Sequence, residues 1–360
     1  RFPNWGAFFI YFYAMSLDYI IVGSGLSGLM LCEQLRARGK SFVVVSNTSQ
    51  QASIVASGLY NPVVLKRFNM AWNADQQLPP ALSAYKKIES LLGIKIDDQR
   101  PIYRIFNSIE EQNNWFLACD KPKLQQFLVP KILDNNNPSI QAPFGCGEVK
   151  FTGRVDTKLL LEAYINHLKS KDLFVEETFD YSLLELNHEV NYKKITAKNL
   201  IFAEGFGLRN NPFFNTLPLE GTKGELLVVH APDLKCDVIL KAAVFIIPIG
   251  NDNYLVGSTY AWNDYSNTPT ESAKNELLEK LKKLILTPFK VVQQRAGIRP
   301  TVADRRPLVG QHETHKNLYV MNGLGSRGVL IAPSIAKDLI AHIEDDITLP
   351  KEIDINRFKS

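Results

Sequence analysis

The chain has 360 residues, 45% of them hydrophobic and 22% charged, with 41 Lys and Arg against 37 Asp and Glu. Such a composition excludes intrinsic disorder, a collagen-like repeat and a coiled coil, and length alone admits two or three domains. A net charge of +4 is too small to point to nucleic acid or a membrane surface without a clustered patch, and basic residues run together only in pairs such as Lys66-Arg67, Lys282-Lys283 and Arg305-Arg306. Cys32, Cys119, Cys146 and Cys236 are far apart with no C-x-x-C pair. That spacing argues against a zinc site and a disulfide framework and for a reducing cytoplasm.

In chain order, the aromatic stretch Phe2 to Ala14 comes first. Its uninterrupted apolar part, Trp5 to Ala14, is much shorter than the about 20 residues that span a bilayer, and it lacks the basic cluster and cleavage site of a signal peptide. Met15 is therefore expected as the natural start, with residues 1–14 an extension outside the folded domains. The alternative is a short interfacial anchor, which would matter if the electron acceptor were a membrane quinone.

From Asp18 the pattern is βαβ: an apolar run Tyr19-Ile20-Ile21-Val22, a glycine turn, a helix to Arg38 with Gly39 at its end, and a strand Phe42-Val43-Val44-Val45. A helix is expected over Thr157 to Lys169, then an alternating region through Phe174, Leu184, Leu186 and Val190, then a buried strand Leu200-Ile201-Phe202-Ala203. Val244 to Ile247 and Tyr254 to Val256 flank the turn residues Gly250-Asn251-Asp252-Asn253 and predict a hairpin. A charged amphipathic helix is expected from Glu271 to Leu286, its Lys and Glu forming an exposed face, and a last strand Leu318 to Met321 leads through a glycine loop into a helix over Val329 to Ile343.

Gly23-Ser24-Gly25-Leu26-Ser27-Gly28 is a G-x-G-x-x-G turn between strand and helix. Its first glycine turns tightly, its second admits a pyrophosphate against the backbone, and its third packs helix on strand, with phosphate at the helix N-terminus. The acid expected for the ribose hydroxyls is replaced by Ser46, followed by Asn47, and no Arg or Lys between Val45 and Leu65 offers a 2′-phosphate clamp. The motif alone says dinucleotide and leaves FAD and NAD both open.

Five blocks then occur in order: this turn, Ser53-Ile54-Val55-Ala56-Ser57-Gly58-Leu59-Tyr60-Asn61-Pro62, Ala203-Glu204-Gly205, Gly297-Ile298-Arg299-Pro300 with Asp304, Pro307 and Gly310, and Gly323-Leu324-Gly325-Ser326-Arg327-Gly328-Val329-Leu330 with Ala332-Pro333. Together they resemble the FAD-dependent oxidoreductases of the D-amino-acid-oxidase type, from Asp18 to Ile343. The resemblance implies an α/β fold: a glutathione-reductase-like FAD domain of Rossmann type (15–75, 150–215 and 297–360) and an α+β substrate domain with a large antiparallel sheet (76–149 and 216–296). It also implies FAD held by Gly23, Gly25, Leu26, Gly28, Ser46, Asn47, Ser53, Ala56, Ser57, Gly58, Leu59, Phe179, Ala203 and Gly205, and by Gly325, Ser326, Arg327, Gly328, Val329 and Leu330. The Gly325 to Leu330 loop opens the last helix, so its N–H groups would face the flavin where charge develops on reduction; a plain turn is the alternative. For Arg327 the alternative is a solvent-facing side chain.

By the same resemblance Arg299 holds the substrate carboxylate through a two-pronged ion pair, the alternative being a structural salt bridge with Asp304. Relatives carry a tyrosine where this chain has Phe245-Ile246-Ile247-Pro248, so a second carboxylate contact would fall to Tyr260, unless Tyr260 packs in the sheet. Glu204 departs from the usual small Ser or Thr, and would repel the pyrophosphate unless it turns away or meets a cation.

Other constellations fail. His312 and His315 sit in a polar loop with only Glu313 nearby, which reads as solvated loop and not as a metal site; no G-x-S-x-G elbow and no P-loop occurs. The expected function is oxidation of a small amino acid or N-substituted glycine: hydride leaves the α-carbon for flavin N5, the imine is hydrolysed, and oxygen or a quinone takes the electrons. The alternatives are an oxidase acting on a carboxymethylaminomethyl group of tRNA wobble uridine, suggested by Leu324 to Gly328, Ala332-Pro333 and the Leu349 to Phe358 tail, and a flavin-binding protein without catalysis, suggested by Ser46, Glu204 and Phe245. RNA as a partner enters only through the first of these.

Overall fold

The computed structural model describes residues 16–47 and 49–359, so the expectations for residues 1–14 and Met15 lie outside the described residues. The βαβ start forms as its pattern requires. Leu17–Val22 lies between Phe42–Val45 and Ile195–Phe202, parallel to both, and from Tyr19 to Val22 it is apolar without alternation because a parallel sheet is covered on both faces. Helix Leu26–Ala37 makes the crossover, and Gly39 takes φ +66° just past its end. Phe174–Val175 continues the sheet beyond Phe42–Val45. On the other side Leu318–Asn322 runs parallel to Ile195–Phe202, Leu308–Gln311 pairs antiparallel with it, and Leu184–Leu186 and Val190–Tyr192 extend the rim.

A second eight-stranded sheet runs in the order Lys290–Val302, Leu219–His230, Asn253–Gly257, Phe245–Gly250, Ile239–Lys241, Ile102–Ile105, Cys146–Val149, Leu128–Leu133. The hairpin expected around Gly250 is its centre. This is the large sheet anticipated from the sequence, with one difference: Ile239–Lys241 pairs parallel with Ile102–Ile105. Its pleat divides two cores. Leu226, Val228, Ile247 and Leu255 join the core shared with the nucleotide sheet, whereas Leu227, Val229, Ile246 and Val256 face the other way, onto the apolar side of helix Glu271–Lys282. That helix ends earlier than Leu286 because Leu284 and Ile285 turn into the same core.

Helix Ala74–Leu92 is among the elements between 63 and 156 that the sequence did not predict, and Pro79 and Pro80 lie inside it. It packs on helix Gly328–Asp345, and Tyr85 Oη donates to the carbonyl of Val329 at 2.6 Å. The proposed division into interleaved units follows the two sheets. It assigns this helix to the opposite unit from the helix it packs on, and its boundary at 297 falls within the continuous strand Lys290–Val302.

Candidate active site

The two sheets face each other across a cavity of about 630 Å³. Its nucleotide end is the glycine turn. A Cβ on Gly23, whose φ is +109°, would stand 2.4 Å from the carbonyl oxygen of Ala203, and one on Gly28 only 2.0 Å from that of Gly23. Helix Leu26–Ala37 begins there with no side-chain cap and no acid in its first turn, so its N–H groups and positive dipole end are left for an anion. Gly23, Gly25 and Leu26 line the cavity; Gly28 lies behind them, where helix meets strand. The Leu26 amide donates to Ser53 Oγ at 3.2 Å, which ties the turn to the next wall, where Ser53 and Ala56 to Leu59 all line the space.

At the end of the second strand Ser46 lines the cavity and accepts from Ser24 Oγ at 2.9 Å. Asn47 is directed elsewhere, its Nδ2 donating to Thr178 Oγ1 at 3.0 Å. Gln50 takes the place on the wall, beside Gly205 and Gly207. Phe179 is not on the wall: its ring stacks on Tyr192 with centroids 4.2 Å apart, inside the core beneath the sheet. Glu204 lines the cavity with Ala203 and Gly205, but its two carboxylate oxygens accept from the Tyr181 hydroxyl and from Asn211 Nδ2 at 2.7 Å. Among the described residues it meets no cation; neutral donors hold it, and burial raises its pKa above the ordinary glutamate value.

The opposite wall is the Gly323 to Gly328 loop and the start of helix Gly328–Asp345, again without a side-chain cap or an acid in its first turn. Gly325, Ser326, Arg327, Gly328 and Val329 line the cavity, while Leu330 points into the core. Asn322, which sequence reasoning passed over, is buried at the strand end and clamps two loops: Nδ2 donates to the Gly205 carbonyl at 2.8 Å and Oδ1 accepts from the Gly323 amide at 2.8 Å. A polar residue closing an apolar strand was the available signal. Arg327 has no acid partner among the described residues, and burial with Arg305 and Arg306 nearby lowers its pKa.

The large sheet forms the third wall. Arg299, paired across the strands with Thr222, lays its guanidinium over the bare Cα of Gly224, where a Cβ would stand 2.0 Å from Nη2. Nη2 donates to Ser258 Oγ at 2.8 Å and Nη1 to the Thr259 carbonyl at 3.3 Å, and Tyr260 lies 4.6 Å away in cation–π contact. The salt bridge with Asp304 does not form, because Asp304 pairs with Arg357 at 2.9 Å. Burial, with no carboxylate to offset it, lowers the Arg299 pKa. Tyr260 is 62% exposed at the rim and not packed in the sheet.

The loop carrying Ser258 and Tyr260 is pinned by Lys223, which is completely buried and donates to Asp264 Oδ2 (2.7 Å), Ser266 Oγ (3.0 Å) and the Thr268 carbonyl (2.6 Å). The bond from Lys223 is the largest influence holding the Asp264 carboxyl down to about 2. Buried Glu225 accepts from Thr270 and Gln294 in the same network. No histidine lines the cavity; His312 and His315 pack against Phe213 instead.

Two uncapped helix N-termini, a glycine cradle and an unpaired arginine on one cavity suit FAD, with its pyrophosphate at the Gly23 to Gly28 turn. The family model DAO, FAD dependent oxidoreductase, matches residues 18–342. The tRNA 5-methylaminomethyl-2-thiouridine biosynthesis bifunctional protein MnmC of Idiomarina loihiensis is 26% identical over 156 residues, 40% of this chain and 25% of that protein. Glycine oxidase of Bacillus subtilis is 25% identical over 216 residues, 56% of this chain and 58% of that protein, so the matched stretches span less than two thirds of either relative. The crystal structure of glycine oxidase from Geobacillus kaustophilus superposes with a TM-score of 0.78 at 18% identity, covering 95% of this chain and 98% of that one, a likeness of fold.

Proposed function

The chain belongs to the DAO family of FAD dependent oxidoreductases, and on that premise we propose that it oxidises the carbon–nitrogen bond of a small amino acid or N-substituted glycine. Bound FAD supplies the two-electron acceptor for hydride from the α-carbon, and water then converts the resulting imine to a carbonyl compound and an amine. The protein's part is positioning. Arg299 takes the substrate carboxylate on the N–H groups not engaged by Ser258 and Thr259, and Gly224 leaves the guanidinium room to lie flat against the sheet. The helix starting at Gly328 aims its dipole at the same space. Among the described residues no acid on the walls is available as a base: Glu204 is held by Tyr181 and Asn211, and Glu276 is paired with Lys280. The reading therefore has the amine arriving neutral, with no proton removed by the protein. Four unpaired, buried cysteines agree with a reducing, cytoplasmic setting, and among the described residues no helix is long and apolar enough to cross a membrane.

The single observation that carries the proposal is a half-buried arginine, Arg299, on the cavity wall with no carboxylate partner among the described residues. Anaerobic bleaching of the flavin by glycine, sarcosine, proline and D-amino acids identifies the substrate. Arg299→Leu is expected to cut kcat/KM by about a hundredfold or more, and bleaching as fast as wild type would reject the anchor.

A second reading keeps the same anchor but places the carboxymethylamine on an RNA. It is favoured by three exposed aromatic rings on the loop after Ser258, Tyr260 (62%), Trp262 (59%) and Tyr265 (46%), which suit stacking on bases, and by the similarity to the MnmC protein. Nucleoside analysis of wobble uridines in a deletion strain tests it, and unchanged modification removes it.

A further inference from the structure

Lys241 lies at the end of strand Ile239–Lys241 and lines the cavity on the same large sheet as Arg299. It is half-buried, yet no carboxylate among the described residues pairs with it. Two cations stand beside it, and Glu276 on the same wall is taken up by one of them. Arg104, its register partner on Ile102–Ile105, already pairs with Glu111, and Lys280, on helix Glu271–Lys282, pairs with Glu276. Burial, then Arg104 and Lys280, push the Lys241 ammonium down to about 8. Its Nζ rests 4.5 Å from the centroid of Phe245. Arg104 and Lys280 each have an acid of their own, so neither acid is left for Lys241, and a partly buried cation without a counter-charge is costly. The glycine turn that suits a pyrophosphate is built on the other sheet, so it does not answer this charge.

We infer that Lys241 binds a second anionic group on the substrate, so that the amine oxidised here carries two acids, one held by Arg299 and the other by Lys241. This rests on Arg299 being a carboxylate anchor. Pairing sets the span. Lys241 stands opposite Phe245, Phe245 opposite Gly257, and Gly257 opposite Leu226, while the Arg299 guanidinium covers Gly224, two residues along from Leu226. With about 4.8 Å between strands and about 3.4 Å per residue, and Nζ leaning over Phe245, the two cationic ends are roughly 12 Å apart. Once about 3–4 Å is taken at each end for the ion contacts, roughly 5 Å remains between the two acid carbons, the span of glutarate or adipate.

Unreactive ligands test this apart from turnover. The FAD-loaded protein is titrated with succinate, glutarate, adipate and suberate and with monocarboxylates of equal length, and binding is read from perturbation of the flavin absorbance. Diacids near the glutarate span are expected to bind at least about tenfold tighter than the matched monoacids. Lys241→Gln should bring that ratio close to one and Lys241→Arg should restore it, with flavin content as the control for folding. 4-Phosphonobutyrate against glutarate distinguishes a phosphate from a carboxylate as the second group. Monoacids that bind through Arg299 without any advantage to the diacids would overturn the role of Lys241 alone. Monoacid binding unaltered by Arg299→Leu would overturn the anchor, and the inference with it.

Discussion

Gly224 makes the sharpest test of how the site is built. In strand Leu219–His230 its missing side chain is the bed on which Arg299 lies: a Cβ there would stand 2.0, 2.1 and 2.2 Å from Nη2, Cζ and Nη1. Ordinary contact begins at 3.4 Å, so Gly224→Ala must lift the guanidinium by about 1.4 Å, the difference between those two distances. The obstructing atoms are the far end of a flexible side chain and not backbone, so the strand itself is not disturbed. Ala also loses less backbone entropy than Gly on folding, by about 0.5–1 kcal/mol. Stability should therefore hold or rise slightly while function falls. A displacement of this size breaks the bonds to Ser258 and Thr259, at about 1 kcal/mol each, and misaligns the carboxylate, for which about a hundredfold loss in kcat/KM is expected. The assay pairs kcat/KM on the best amine and monocarboxylate titration with thermal unfolding and flavin content. Unchanged kcat/KM with the flavin retained would refute the placement of Arg299 as the anchor. A loss of activity that merely tracks a fall in Tm would refute the argument that Gly224 serves the site and not the fold.

Gly28→Ala meets a backbone carbonyl at 2.0 Å that cannot swing aside, so purified protein should lack flavin absorbance; a fully yellow variant would contradict the cradle. Lys223→Met removes a completely buried cation that bonds Asp264 and lies beside buried Glu225 and should cost about 3 kcal/mol in denaturant unfolding while exposing the 258–270 loop to limited proteolysis; unchanged cleavage would show that the loop is held by other means. For Glu204, a folded pKa raised above the unfolded one means more bound protons in the native state, so stability present below the ordinary glutamate range is lost as pH rises through the raised value. Glu204→Gln should flatten that part of the profile of Tm against pH above the ordinary glutamate range, since the Tyr181 hydroxyl can reverse to accept from the new amide; equal slopes in both proteins would remove the assignment.

The nucleotide half of the fold was legible because its signals are local. A continuous apolar run, a glycine turn and a helix ending in glycine are written within about thirty residues of chain, and the strands at Leu17–Val22, Phe42–Val45 and Leu318–Asn322 fall where their patterns put them. Helix Ala74–Leu92 was not legible, because Pro79 and Pro80 carry a local penalty that packing on the Gly328–Asp345 helix overrides. The parallel pairing of Ile239–Lys241 with Ile102–Ile105 joins strands more than 130 residues apart, a separation at which strands of three and four residues leave no trace in local pattern.

The site divides in the same way. Residues within a motif, such as Gly23, Ser53, Gly205 and Gly325, line the cavity because the motif already encodes the bend that brings them there. Asn47 and Phe179 follow from position alone, and one hydrogen bond to Thr178 and one stacking partner, Tyr192, are enough to point them elsewhere. Lys241 and Lys223 are the converse. Nothing near either in sequence distinguishes them from solvated lysines, and what sets them apart is a count of charges that exists only after strands from distant parts of the chain are laid side by side. Lys223 meets its acid across the sheet edge, in Asp264, and is spent on structure. Lys241 meets Arg104, Lys280 and the cavity, and the charge it lacks has to come from what the cavity binds.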